Sequence, residues 1–274
     1  MATWLITGVS RGLGLALARE RLAQGDTVIG TVRQTAPALT AAPGRLHLLQ
    51  ADLADPAAAA GLVREAFARV PVIDVIVNNA GYGLLGALET STDEELRQLF
   101  EVDVFAPIRL IRALLPRLRA QGHGHIVNVT SIAGRAPGVG SALYCAAKGA
   151  MEALSAALAA EVAPLGIRLT AVAPGAFRTD FLSEHSIRRS GQEDAAYVAT
   201  IGHSQAAFKA GHGQQLGDPA AAARALGEAV ASAQPPLHLL LGSDALQRAR
   251  TKLDRVLTEM DAWEHLSRST DFVS

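Results

Sequence analysis

Seven short apolar runs rich in β-branched residues recur along the chain, at 4–7, 27–32, 46–49, 73–77, 125–130, 168–172 and 237–241. Each has the length and composition of a buried strand. The stretches between them, 13–23, 56–69, 93–121, 142–163 and 219–233, are amphipathic and rich in Ala, Leu, Glu and Arg, which suits helices. Strands that alternate with helices pair in parallel and carry the helices on both sheet faces. The expected architecture is a doubly wound α/β sheet of seven mainly parallel strands in the order 3-2-1-4-5-6-7, with its site at the carboxyl ends of the strands. Two segments break the rhythm. Residues 176–217 read as a lid over a site, and 247–274 as a surface helix with a terminus. No fixed-period repeat or linker is present, so 1–274 reads as one domain.

The first strand runs directly into Thr7-Gly8-Val9-Ser10-Arg11-Gly12-Leu13-Gly14, which opens the first helix. Glycines there permit a tight turn and close approach to a pyrophosphate, and a helix N-terminus offers free N–H groups and positive potential. The spacing departs from the G-x-G-x-x-G fingerprint, and the glycines alone also fit an ordinary strand-to-helix turn. At the end of the second strand, where an NAD enzyme places an acid on the ribose, the run is Thr31-Val32-Arg33 with no carboxylate. Arg33 beside Arg11 suits a 2′-phosphate and favours NADP(H), with two solvated surface arginines as the plain alternative.

With 25 basic and 26 acidic residues the formal charge is −1, so no global field favours nucleic acid or a membrane surface, and a small molecule is the expected partner. The one cysteine, Cys145, forms no internal disulfide and points to the cytoplasm, and no apolar run approaches the roughly 20 residues of a membrane span. Among the eight histidines, His123, His125, His203, His212 and His238 lie in different elements without metal-ligand spacing, so no metal is expected.

Ser131 follows the fifth strand, and Tyr144-Cys145-Ala146-Ala147-Lys148 opens the next helix. At an i, i+4 spacing the phenol and the ammonium share one helical face. A neighbouring cation favours phenolate, so Lys148 is expected to pull Tyr144 below the ordinary phenol value of about 10. Taken alone, the pair also fits an interfacial aromatic beside a solvated lysine.

Thr7-Gly8-x-x-x-Gly12-x-Gly14, Asp52, Asn78-Asn79-Ala80-Gly81, Ser131, Tyr144-x-x-x-Lys148 and Pro174-Gly175, in that order, resemble the short-chain dehydrogenase/reductase family over nearly the whole chain. The resemblance implies a Rossmann fold in which Tyr144 is the general acid/base, Ser131 polarises a carbonyl, and Lys148 tunes Tyr144 and holds the nicotinamide ribose. It implies a cofactor shell of Gly8, Ser10, Arg11, Gly12, Leu13, Gly14, Arg33, Asp52, Leu53, Asn79, Ala80, Gly81, Tyr144, Lys148, Pro174, Gly175, Phe177 and Thr179. Many members carry an Asn in a proton relay where this chain has Asp103, which accepts a hydrogen bond but, ionised, cannot donate one. The tail, with Leu241-Gly242-Ser243-Asp244-Ala245 and Asp261-Ala262-Trp263-Glu264, is similar to a subgroup that includes 17β-hydroxysteroid dehydrogenases.

The leading functional reading is an NADPH-dependent carbonyl reductase or secondary alcohol dehydrogenase. Leu84, Leu85, Pro137, Val139, Phe177, Phe181 and Leu182 would form its apolar substrate pocket. The family resemblance further implies a homodimer or homotetramer built through helices 96–118 and 142–163. A catalytically silent NADP(H)-sensing or scaffold protein on the same fold is the competing class, and an epimerase or enoyl reductase is a third. Retention of Ser131, Tyr144 and Lys148 together argues against silence.

Overall fold

A computed structural model describes the chain apart from residues 35–36, 41–42, 183–185, 192–193, 212 and 273–274 and the side chains at 182 and 207. His212 therefore lies outside the described residues. The strands are β1 (Thr3–Ile6), β2 (Thr27–Val32), β3 (Arg45–Gln50), β4 (Val75–Asn78), β5 (Gly83–Leu85), β6 (Gly124–Val129), β7 (Ile167–Pro174), β8 (Ile187–Arg189) and β9 (His238–Leu241). The helices are α1 (Gly12–Ala23), α2 (Ala58–Arg69), α3 (Asp93–Phe100), α4 (Ala106–Gln121), α5 (Ile132–Arg135), α6 (Ala142–Val162), α7 (His203–Ala210), α8 (Pro219–Ala231) and α9 (Ser243–Arg268).

One seven-stranded sheet runs in the order β3-β2-β1-β4-β6-β7-β9, every neighbouring pair parallel. Counting only these seven strands, that is the expected 3-2-1-4-5-6-7. The two strands not expected, β5 and β8, pair with each other to one side and draw the segment around 187–189 onto the chain after β4.

Alternation along each strand divides the core between the two faces. Leu5, Ile29, Ile76 and Ile126 face α2, α4 and α6, where they meet Leu62, Leu110, Leu114 and Leu158. Trp4, Ile6, Val28, Val77 and Val127 face α1 and α8, meeting Leu17, Leu22, Ala222 and Leu226. All of these are buried, as strands covered on both faces require.

The expected helix over 93–121 is instead three pieces. A capping box starts α3, with Glu95 N–H donating to Thr92 Oγ1 at 3.2 Å and Thr92 N–H donating to Glu95 Oε2 at 2.8 Å. A π-helical turn, Glu101–Phe105, then precedes α4. Its cause is legible: Pro107 has no N–H to give the carbonyl of Asp103 four residues back, and Ala106 N–H reaches the carbonyl of Glu101 instead. The long tail helix α9 begins at Ser243, four residues before the expected tail. Only its first turns dock, through buried Ala245 and Ala249, while Leu253, Leu257, Met260 and Trp263 are exposed.

One buried polar chain crosses the apolar interior. The Asn78 amide donates to Asn128 Oδ1 at 2.8 Å across the β4–β6 register, and the Asn128 amide donates to the Ser155 hydroxyl of α6 at 2.8 Å. Ser155 in turn donates to Met151 O at 2.6 Å. Burying polar groups costs least where they are paired, and among the described residues Asn78 Oδ1 lacks a protein partner. Asn128→Ala strands a donor on Asn78 and takes a donor from Ser155. Urea denaturation of that variant should show a loss of on the order of 2–3 kcal/mol, larger than the change for an exposed polar residue such as Gln24→Ala.

Candidate active site

The phosphate-binding half is built by the turn from β1 into α1. Gly8 and Gly12 have φ of +73° and +61°, a left-handed conformation open to glycine at little cost. A Cβ on Gly14 would lie 2.3 Å from Gly8 O and 2.4 Å from Asn79 Nδ2, so only hydrogen fits there. The loop is braced from β4: Asn79 Nδ2 donates to Thr7 O at 2.8 Å and Gly8 O at 3.1 Å, and the Asn79 and Ala80 N–H groups both donate to Thr7 Oγ1 at 3.0 Å. Asn79 thus shapes the cradle through side chain and backbone alike. A Cβ on Gly12 would meet nothing nearer than Thr179 Cβ at 3.9 Å, which places the turn beside the chain after β7. Arg11 is the N-cap of α1 and gives no side-chain cap to the helix N–H groups. This donor set and its helix dipole fit the pyrophosphate of a dinucleotide.

Arg11 and Arg33 are both exposed, the latter just after β2, where Gln50 Nε2 holds its backbone carbonyl at 3.1 Å. Ser10 is exposed and Leu53 half-buried. Asp52 is exposed, and its carboxylate accepts from Ala54 N–H at 3.0 Å to shape the turn after β3. Pro174 closes β7, and Gly175 N–H donates to Leu241 O at 2.8 Å. The Phe177 ring lies in the core with Leu241 and Val172.

The chemical half converges from four elements. Tyr144 and Lys148 stand one turn apart on α6 and are buried, with Lys148 Nζ 5.7 Å from the centre of the Tyr144 ring. Ser131 caps α5, its hydroxyl accepting from Ala133 N–H at 3.1 Å, and its side chain acts on the Tyr144 phenol in the direction that favours phenolate. Lys148 Nζ donates to Val129 O at 3.3 Å and meets Asp103 Oδ2 of the π-helical turn at 3.1 Å. All four residues are therefore brought together.

Their electrostatics correct one expectation. Burial pushes the Tyr144 phenol above its ordinary value, Lys148 pulls it back, and Asp103 raises it again, so the phenol ends above the reference instead of below it. Burial works against the Lys148 ammonium, but Asp103 and Tyr144 outweigh it and hold the ammonium above its ordinary range. Burial likewise lifts the Asp103 carboxyl, against the pull of Lys148 and the Tyr82 N–H.

Leu84 shares a buried cluster with Tyr144, Leu99 and Met151, against which Phe181 packs. The Phe181 and Tyr144 ring centres are 6.1 Å apart. Leu85 is buried, whereas Pro137 and Val139 are exposed on the loop before α6. The Leu182 side chain lies outside those described. Among the described residues no group of three or more His, Cys, Asp or Glu could hold a metal ion, and no helix is long and apolar enough to cross a membrane.

Three features escaped the sequence reading. Tyr82 donates its N–H to Asp103 Oδ1 at 3.1 Å. Gln215, in the loop that pairs with the chain after β7, buries both ends of its amide with no protein partner, while its backbone carbonyl accepts from Arg178 at 3.1 Å. Glu152 sits one turn beyond Lys148. It accepts from the Thr130 hydroxyl, pairs with Arg135 Nε at 3.0 Å, and lies 3.6 Å from His238 Nδ1, while Arg135 also reaches Ala171 O at 3.1 Å. For this last network, an acid at i+4 from Lys148 and an Arg at i+4 from Ser131 were the available signal.

A profile described as short chain dehydrogenase matches residues 2–189. An oxidoreductase of Botryotinia fuckeliana is 32% identical over 268 residues, 96% of this chain and 97% of that protein. A short-chain dehydrogenase structure from Streptomyces avermitilis superposes with a TM-score of 0.91 at 41% identity, covering 98% of each chain. Another, from Sphingobium yanoikuyae in complex with NADPH, gives 0.72 at 27% identity over 94% of this chain and 96% of that one. With the family model matching residues 2–189 and a relative matched over nearly its whole length, the chain belongs to the short-chain dehydrogenase family of oxidoreductases.

Proposed function

We propose that the protein is an NADPH-dependent carbonyl reductase and secondary alcohol dehydrogenase acting on a hydrophobic ketone, aldehyde or alcohol. The observation that carries this reading is the Tyr144 phenol. It is buried and backed by the Lys148 ammonium one turn along α6, at the same sheet edge as the glycine cradle. The nicotinamide, when bound, supplies or receives the hydride. Tyr144 and Ser131 donate hydrogen bonds to the carbonyl oxygen, and the Tyr144 proton passes to that oxygen as the new C–H bond forms. Lys148 stays charged at neutral pH, held by Asp103, and its charge favours the phenolate that proton donation leaves on Tyr144.

The cofactor shell comprises the cradle with Arg11, Arg33, Asp52 and Leu53 at the adenosine end, and Asn79, Ala80, Gly81, Pro174, Gly175, Phe177 and Thr179 toward the nicotinamide. Two exposed guanidiniums and no acid at the end of β2 support NADPH over NADH. Leu84, Leu85, Pro137, Val139, Phe181 and Leu182 form the substrate shell, and the apolar cluster around Tyr144 supports a hydrophobic substrate. Residues 1–274 act as one NADP-binding domain, 176–217 as its lid and 247–274 as its tail. Pairing of β8 with β5 supports the lid, because it lays that segment beside Leu84 and Leu85. Exposed Leu96 and Phe105 support a homodimer or homotetramer through 96–118 and 142–163. The tail motif supports kinship with 17β-hydroxysteroid dehydrogenases, and the single buried cysteine supports a cytoplasmic setting.

Loss of NADPH absorbance against aryl, alicyclic and steroid ketones tests the reaction, and no turnover of any of them with either nicotinamide would overturn it. Tyr144→Phe should lower kcat by at least about 10²-fold with little change in NADPH affinity, as expected for a lost proton donor. Arg33→Ala should raise the KM for NADPH by about 10-fold or more while moving that for NADH little, the signature of a lost phosphate contact. Equal use of both cofactors by the unaltered protein would remove the basis for NADPH.

A further inference from the structure

Asp103 carries a carboxylate into the interior, 1% exposed, where an unpaired charge would be excluded. Its two oxygens are divided between two elements. Oδ1 takes the Tyr82 N–H at 3.1 Å, and Oδ2 faces Lys148 Nζ at 3.1 Å. The loop after β4 is shaped around it, since a Cβ on Gly81 would lie 2.9 Å from Oδ2. The π-helical turn holds the side chain at this depth, and Pro107 fixes that turn. From Asp103 the sequence of buried charged and titratable groups continues through Lys148 to Tyr144.

We propose that Asp103 is a positioning residue: paired with Lys148, it holds the Tyr144 phenol protonated and extends proton donation, hence carbonyl reduction, further to the alkaline side. This rests on the reading above in which Tyr144 is the proton donor. An isolated ammonium beside a phenol favours phenolate strongly. An ammonium paired with a carboxylate presents a dipole, and its pull on the phenol is correspondingly weaker. Burial and Asp103 both act in this direction on Tyr144, against Lys148 and Ser131. The other groups near the phenol do not reverse the balance. The Cys145 thiol raises it further. On the neighbouring Tyr82, burial outweighs Arg188 and pushes the phenol up to about 12, so Tyr82 stays neutral through the working range.

The sign of the test is independent of which group titrates first. Removing one negative charge makes the first proton easier to lose from the coupled Tyr144–Lys148 pair. Lost from Tyr144, that proton leaves a phenolate unable to donate; lost from Lys148, it leaves the site without its cation. Reduction declines at lower pH in both cases.

The experiment compares Asp103→Asn and Asp103→Ser with the unaltered full chain, following ketone reduction at saturating NADPH from neutral to alkaline pH. Two replacements are used so that a folding failure of one leaves the other decisive. The basic limb should move down by about half to one pH unit in either variant. Tyr144 is also titrated directly, as the phenolate absorbance of each protein minus that of its Tyr144→Phe counterpart. Its midpoint, or that of the coupled pair, should fall in the variants. Superimposable limbs and midpoints, or an upward shift, would overturn the proposal and leave Asp103 as a neutral hydrogen-bonding group. The absorbance titration needs no turnover, so it decides the role of Asp103 even if the proposed reaction fails.

Discussion

A parallel strand cannot return to its neighbour through a tight turn, so the seven strands of the main sheet are joined in succession by six crossovers, each of which leaves the sheet before the next strand begins. All seven carboxyl ends consequently lie along one edge. Gly8, Arg33, Asn79, Ser131 and Gly175 each follow a different strand within a few residues, and their proximity to one another is a result of pairing, not of sequence separation. The reversal of strand order beside β1 opens the crevice at this edge, between the crossover through α1 and those on the other side of β4. Each later feature of the site refines a location that the pairing rule had already selected.

Within that crevice the two halves are stabilised by opposite means. The cradle is held by neutral hydrogen bonds from Thr7 and Asn79 and by the absence of side chains at Gly8 and Gly14. It needs shape, since the anion it suits brings its own charge. The chemical half is held by charge in a dry setting, where the Lys148–Asp103 attraction is strong because water does not screen it. The same dryness raises the phenol, so basicity at Tyr144 reflects a competition between burial and its neighbours that no single residue determines.

The strands and their order were legible because residues such as Leu5, Ile29, Ile76 and Ile126 sit in continuous apolar runs between clear turn signals, a pattern that local composition carries well. Tyr144, Lys148 and Ser131 were legible from short spacings. The π-helical turn was not, although Pro107 marks it, because a proline one turn into a helix is equally compatible with an ordinary helix start. The pairing of β5 with β8 was also hidden. Three-residue strands have no measurable period, and their partners lie about a hundred residues apart. The expected lowering of the Tyr144 phenol failed for a related reason: the i, i+4 cation and Asp103 are visible in sequence, but the burial that outweighs the cation is not.

The Glu152 network has a consequence for how the molecule divides. Ser131 rides on a helix of one turn, α5, too short to persist by itself, and its anchorage is Arg135 and Thr130 converging on Glu152, with His238 at the start of the last sheet strand. The matched family region ends at residue 189, well before that strand. A boundary drawn there, convenient for a fragment, would leave Thr130, Arg135 and Glu152 together but remove His238 and also Ala245 and Ala249 of α9, against which Ile132 of α5 and the adjoining Ala136 pack. The short turn that carries Ser131 and the start of the carboxyl-terminal helix are therefore linked by packing, and the turn cannot keep its full support without that helix.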